Sequence, residues 1–139
     1  MGEEEYGSLE EERLIRDRAF IHSVHTVFHM HTSQEMTHEI LRKFEKLGEE
    51  CGGVEKGILY WKVGLNLARP KKGESPMSRK IVHMLQIAIF ADDTAFQQFR
   101  EHPAHVAIRK KLSMHADWAS GDLRLSGTDF KALGAFSRL

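Results

Sequence analysis

The chain has 139 residues, enough for one domain with a usable core, and its 41% hydrophobic and 29% charged content is that of an ordinary water-soluble globular protein. Basic and acidic residues number 20 each, which argues against nucleic acid as a partner, because phosphate binding requires a basic excess on one face. Cys51 is the single cysteine, which excludes an intrachain disulfide and a thiolate metal cluster.

No apolar run approaches the roughly 20 residues that span a bilayer, so no membrane partner is expected. The opening Met-Gly-Glu-Glu-Glu is acidic and lacks the basic and apolar regions of a signal peptide. A reducing, cytoplasmic setting is the expectation.

Residues 1–18 form a charge-rich arm. Ser8-Leu-Glu-Glu11 has capping-box spacing, which fits a short helix over 9–17 or a solvated extension. Residues 19–31 read as strand 1, rich in β-branched and aromatic types. Alternation puts His22, Val24, Thr26, Phe28 and Met30 on one face, the more apolar one. Ser23, His25, Val27, His29 and His31 take the other. Ser33 then opens a helix with apolar residues at Met36, Ile40, Leu41, Phe44 and Leu47. Gly48 or the Gly52-Gly53 pair ends it.

Gly57–Leu67 reads as strand 2, with Gly64 marking a bulge. Residues 68–79 hold two prolines, a glycine and several basic residues, the composition of a long loop. Lys80–Phe90 is strand 3. Asp92-Asp93-Thr94 begins a second helix carrying Ala95, Phe96 and Phe99; Pro103 interrupts it, and Val106–Leu112 continue it. Trp118–Leu125 is strand 4. Phe130, Leu133 and Phe136 in the tail, 126–139, have the spacing of a short amphipathic helix.

The order β-α-β-β-α-β defines an α+β, ferredoxin-like unit with a four-stranded antiparallel sheet over residues 19–125. Its helices cover one sheet face, and the other face must also be buried if it is apolar.

The run His102-Pro-Ala-His105, followed by a helix and then by Gly121-Asp122 on the last strand, resembles the stress-responsive dimeric α/β-barrel (Dabb) family. Phe-Ile-His22 opening strand 1, Val63-Gly-Leu-Asn-Leu67 ending strand 2 and Phe90 closing strand 3 add to the resemblance, which spans about residues 20–124. It implies a homodimer that pairs two sheets face to face into a barrel. It also implies a small-molecule pocket between helices and sheet.

In the olivetolic acid cyclase branch of that family, the histidine matching His105 is a general base for an aldol-type ring closure. An imidazole titrates near neutrality and can take a proton α to a carbonyl. Pro103 helps fix where the helix restarts, and so where that ring points. His22, at the family's strand 1 histidine, is the second catalytic candidate. The remaining candidates, as substrate contacts, are Thr26, Phe28, Tyr60, His83, Met84, Phe99, His102 and Trp118. The cyclase's further pocket histidine falls at His83 by residue type but at Met84 by a gap-free count, and one residue of slip turns a strand side chain to the opposite face. Both histidines of the motif have an alternative use as a helix cap or a partner of backbone carbonyls.

One departure bears on the chemistry. The cyclase has a tyrosine where this chain has Phe99, and phenylalanine has no hydroxyl to polarise a carbonyl. Tyr60 is the remaining candidate for that hydroxyl.

Nine histidines prompt a test for metal. His29 and His31 are near enough for one ion, whereas His25 and His29 lie about 13 Å apart by strand rise. No acidic residue or HExxH pattern completes a set, so neither metal nor cofactor is expected. The basic stretches Arg69-Pro-Lys-Lys72 and Arg79-Lys80 are solvated connectors or an attraction for an anionic substrate. The functional expectation is a cyclase or lyase acting on a small polyketide-like or aromatic acid. A non-catalytic small-molecule binder and a stress-related structural oligomer are the alternatives.

Overall fold

The computed structural model describes residues 18–68, 82–126, 128 and 129. The chain runs through β1 (Phe20–Phe28), α1 (Gln34–Glu50), a 3-10 turn (Gly53–Lys56), β2 (Ile58–Leu65), β3 (Met84–Phe90), α2 (Asp93–Glu101), α3 (Pro103–Ser113) and β4 (Ala116–Arg124). The strands form one antiparallel sheet in the order β2-β3-β1-β4. This is the α+β, ferredoxin-like architecture that the residue pattern predicts. The expected helix at 9–17, the basic stretches at 69–80 and the apolar residues Phe130, Leu133 and Phe136 lie outside the described residues.

The three helices pack on one face of the sheet. Their apolar stripes meet the alternate strand positions Phe20, Phe28, Met84, Ala88 and Phe90, and Ile40, Phe44, Leu47, Phe99, Ile108 and Leu112 complete this core. Burying each large side chain contributes roughly 1.5–3 kcal/mol. The opposite face has Ile21, Ser23, His25 and Val27 of β1 beside Leu85, Ile87 and Ile89 of β3, and none of the three described helices packs on it. Among the described residues, Ala19, Ile89 and Leu125 form a small cluster there, with Ile21 against it.

Helix ends follow ordinary capping chemistry. The Ser33 hydroxyl accepts from the Met36 N–H at the start of α1. Cys51 closes that helix and Gly52 takes the left-handed conformation, φ 109°. Gly48 does not end it. It lies buried inside α1 because the Trp61 indole rests on it, and an added Cβ would stand 2.5 Å from Trp61 Cγ. Asp92 caps α2 through the Ala95 N–H. Pro103, which has no N–H to donate and crowds the preceding turn, breaks the helical run. His102 caps the restart, its Nδ1 accepting from the Ala104 N–H at 3.1 Å.

Several strand boundaries and one bulge differ from expectation, and β2 runs over Ile58–Leu65 rather than Gly57–Leu67. β1 stops at Phe28 rather than at 31, because Met30 and His31 turn and the Thr32 hydroxyl bonds to the His115 carbonyl. The bulge in β2 is at Leu59, between Ile58 and Tyr60, while Gly64 pairs regularly with Leu85. β3 begins at Met84 rather than at Lys80, although His83 already exchanges backbone hydrogen bonds with Thr26 and Asn66. β4 begins at Ala116 rather than at Trp118 and ends at Arg124.

Candidate functional site

The sheet register sets the floor of a cavity. His22 pairs with Ala88 and Asp122, Val24 with Gln86 and Ser120, and Thr26 with Met84 and Trp118. Paired residues share a face, so all three rows point toward the helices. Phe44 of α1, Phe96, Phe99 and Arg100 of α2, and His105, Arg109 and Leu112 of α3 close over the first two rows and Trp118. The space between them is about 240 Å³ and opens to solvent on one side. The break at Pro103 makes this possible, because it turns α3 so that His105 and Arg109, one helical turn apart, look onto the same space.

His22 is buried, and its Nδ1 lies 2.7 Å from Asp122 Oδ1. A carboxylate only accepts, so the Nδ1 proton is donated to it. The rings of Phe96 and Phe90 flank the imidazole, at 4.7 and 6.1 Å between centroids. His22 is thus held in one tautomer and one orientation, as an acid/base imidazole requires.

His105 is fixed in a different way. Its Nδ1 donates to the Arg100 carbonyl at 3.1 Å, and its ring lies 4.4 Å from that of Phe99. Its pKa is held below the ordinary imidazole value, chiefly by burial and further by the positive charges of Arg109 and Arg100. The ring is therefore unprotonated at neutral pH and able to accept a proton. Between the two histidines, Gln86 is 3% exposed and its side-chain amide makes no hydrogen bond among the described residues.

The cavity brings together His22, His105, Phe99 and Trp118 of the residues singled out from sequence. The others lie elsewhere. Thr26, Phe28 and Met84 are core residues of the same face, and the Thr26 hydroxyl is buried without a partner. His83 stacks on Phe28, and its Nδ1 accepts from the Phe28 N–H at 2.9 Å, so it caps the edge of β1. His102 is used as the α3 cap. Tyr60 is on the open face, paired with Ile89, and cannot supply the hydroxyl missing at Phe99.

Asp122, Gln86, Arg100 and Arg109 were not foreseen as site residues. Asp122 was visible as part of the Gly121-Asp122 motif, but only the β1–β4 register puts it beside His22. His29 has Asp117 at 3.3 Å. Among the described residues no three histidine, cysteine or acidic side chains gather to hold a metal. No described helix is long and apolar enough to cross a membrane.

No family model and no curated protein matches the chain. Solved structures do. A dimeric ferredoxin-like protein of unknown function from Thermobifida fusca is 13% identical, with a TM-score of 0.61 over 77% of this chain and 91% of that one. Hydroxynitrile lyase from Passiflora edulis is 15% identical, with a TM-score of 0.61 over 80% and 96%. A Dabb family protein with a ferredoxin-like fold from Mesorhizobium loti is 20% identical, with a TM-score of 0.53 over 78% and 98%. At these identities the likeness establishes the ferredoxin-like fold.

Proposed function

We propose that this chain is a cofactor-independent cyclase or lyase of the dimeric α/β-barrel type, acting on a small polyketide-like or aromatic acid by histidine acid/base catalysis. The observation that carries this reading is the pairing of two differently held imidazoles, the buried His22 on Asp122 and the half-buried His105 on the Arg100 carbonyl, on one aromatic-walled cavity. His105 takes the proton α to a carbonyl onto Nε2. The carbanion then attacks a second carbonyl or expels a leaving group, and the proton returns to the oxygen or the departing group. The lyase name of the Passiflora edulis protein supports a reaction of this class on this fold.

In this reading the functional unit is residues 19–125, flanked by arms at 1–18 and 126–139, and it works in the cytoplasm. The open sheet face, with Ile87 at 43% and Leu123 at 66% exposure, meets a second copy. The dimeric description of the Thermobifida fusca protein supports that.

Phe99 in place of the cyclase tyrosine favours a second reading, a binder of the same ligands without turnover. Native mass spectrometry after exposure to cell extract, beside His105→Ala, tests the site. The expected result is a dimer carrying a discrete small-molecule mass that the variant loses. A bare protein in both samples would refute a ligand site at His105. Once the ligand is known, turnover separates enzyme from binder. It is expected to fall about 100-fold or more in His105→Ala. Because His105 must be unprotonated, its rising limb with pH is expected below the ordinary imidazole value; a limb above that value would exclude His105 as the base.

A further inference from the structure

Next to the histidine cavity lies an open groove of about 410 Å³ lined by Arg100, Val106, Arg109, Lys110, Ser113 and Trp118. The two spaces share Arg100, Arg109 and Trp118, so the two guanidinium-bearing residues stand where one opens into the other. We propose that Arg100 and Arg109 form an anion-binding throat, and that the ligand is a single-ring carboxylate whose ring fills the inner cavity while its charge rests on these two residues. The proposal rests on the cavity being a small-molecule site, as argued above, and names what it selects.

Charge is the first argument. Neither arginine has an ion pair among the described residues; Arg100 only lies over the Phe96 ring, at 5.8 Å. Cations on neighbouring surfaces do have partners: Lys111 meets Glu39 at 2.7 Å, and Arg124 meets Asp93 at 3.5 Å. No acidic residue lines the outer groove. The one carboxylate of the inner cavity, Asp122, is occupied by His22. A guanidinium presents a planar fork that fits a carboxylate with two parallel hydrogen bonds.

The interior is the second argument. Gln86, a residue only 3% exposed, lines the inner cavity with an amide that has no hydrogen-bond partner among the described residues, so it can bond a polar group on whatever fills the space. Phe44, Phe96, Phe99 and Leu112 supply apolar walls. A cavity of about 150 Å³ accepts benzene, so 240 Å³ holds one substituted ring.

An anion in this throat also acts on the base. Arg109 and Arg100 are among the charges that depress His105. Neutralising them raises its affinity for a proton, so the correct substrate strengthens the base that is to deprotonate it.

The test uses benzoate and its neutral isostere benzamide, titrated into the intact protein by ¹H–¹⁵N NMR at pH 7. Benzoate is expected to bind about tenfold or more tightly than benzamide. In Arg100→Gln/Arg109→Gln the two are expected to bind within about twofold. Both arginines are exposed helix residues, and circular dichroism checks that the variant is folded. In the wild type, benzoate is expected to move the His105 titration midpoint upward, and this shift is lost in the double variant. Equal binding of the two probes by the wild type overturns the throat but leaves the cavity standing, as does a preference that survives in the double variant. Binding of neither probe overturns both.

Discussion

The two faces of the sheet are built from the same four strands and differ by one residue of register. The covered face holds His22, Gln86, Asp122 and the phenylalanine core; the open face has Ile21, Tyr60, Ile87 and Leu123 beside the polar Ser23, His25, Lys62 and Asp117. Alternation thus separates two tasks without any extra segment. One face carries the histidine cavity under the helices, and the other exposes apolar side chains such as Ile87 and Leu123.

The largest test of this division is in the core. Phe90 is fully buried on the covered face, in contact with the rings of Phe20, Phe96 and Phe99. Phe90→Ala is expected to lose about 3–5 kcal/mol in urea denaturation. Ile87→Ala, on the other face of the same strand, is expected to cost under about 1 kcal/mol at protein concentrations where the chain is monomeric. Equal losses would erase the distinction.

The next test reverses the roles. Ile87→Lys with Leu123→Lys is expected to weaken self-association by about 100-fold or more in sedimentation velocity, while the unfolding midpoint of the dilute protein stays in place. Unchanged association would mean that the open face does not meet a partner copy. The smallest effect concerns the covered face alone. The Thr26 hydroxyl is buried without a partner, so Thr26→Val is expected to raise stability by about 1 kcal/mol. A loss of similar size would show that the hydroxyl is used.

These contrasts also mark what the sequence discloses. Element order and fold class followed from periodicity: the helical spacing of Met36–Leu47, the alternation after Phe20, and the Pro103 break. The helix-facing side of His22 was legible for the same reason. The parts that failed depend on pairings between distant segments. The partnership of His22 with Asp122 spans 100 positions, and no local pattern fixes a β1–β4 register. Tyr60 was placed near the site, but the bulge at Leu59 puts Ile58 toward the helices and Tyr60 on the open face. Gly48 looked like a helix stop because its role depends on Trp61, a residue outside its helix. Arg100 and Arg109 lie on two different helices, and only the turn between α2 and α3 brings them to one space.

The indole of Trp61 donates to the Phe44 carbonyl at 2.9 Å and leans on Phe99, while the other tryptophan, Trp118, lines the cavity. The molecule therefore contains two optical probes with separate duties. The emission of Trp61 follows the seating of α1 on the sheet, and that of Trp118 follows what enters the throat. With Trp61→Phe, a single fluorophore would remain to report occupancy in real time, on unlabelled protein, for any compound tried.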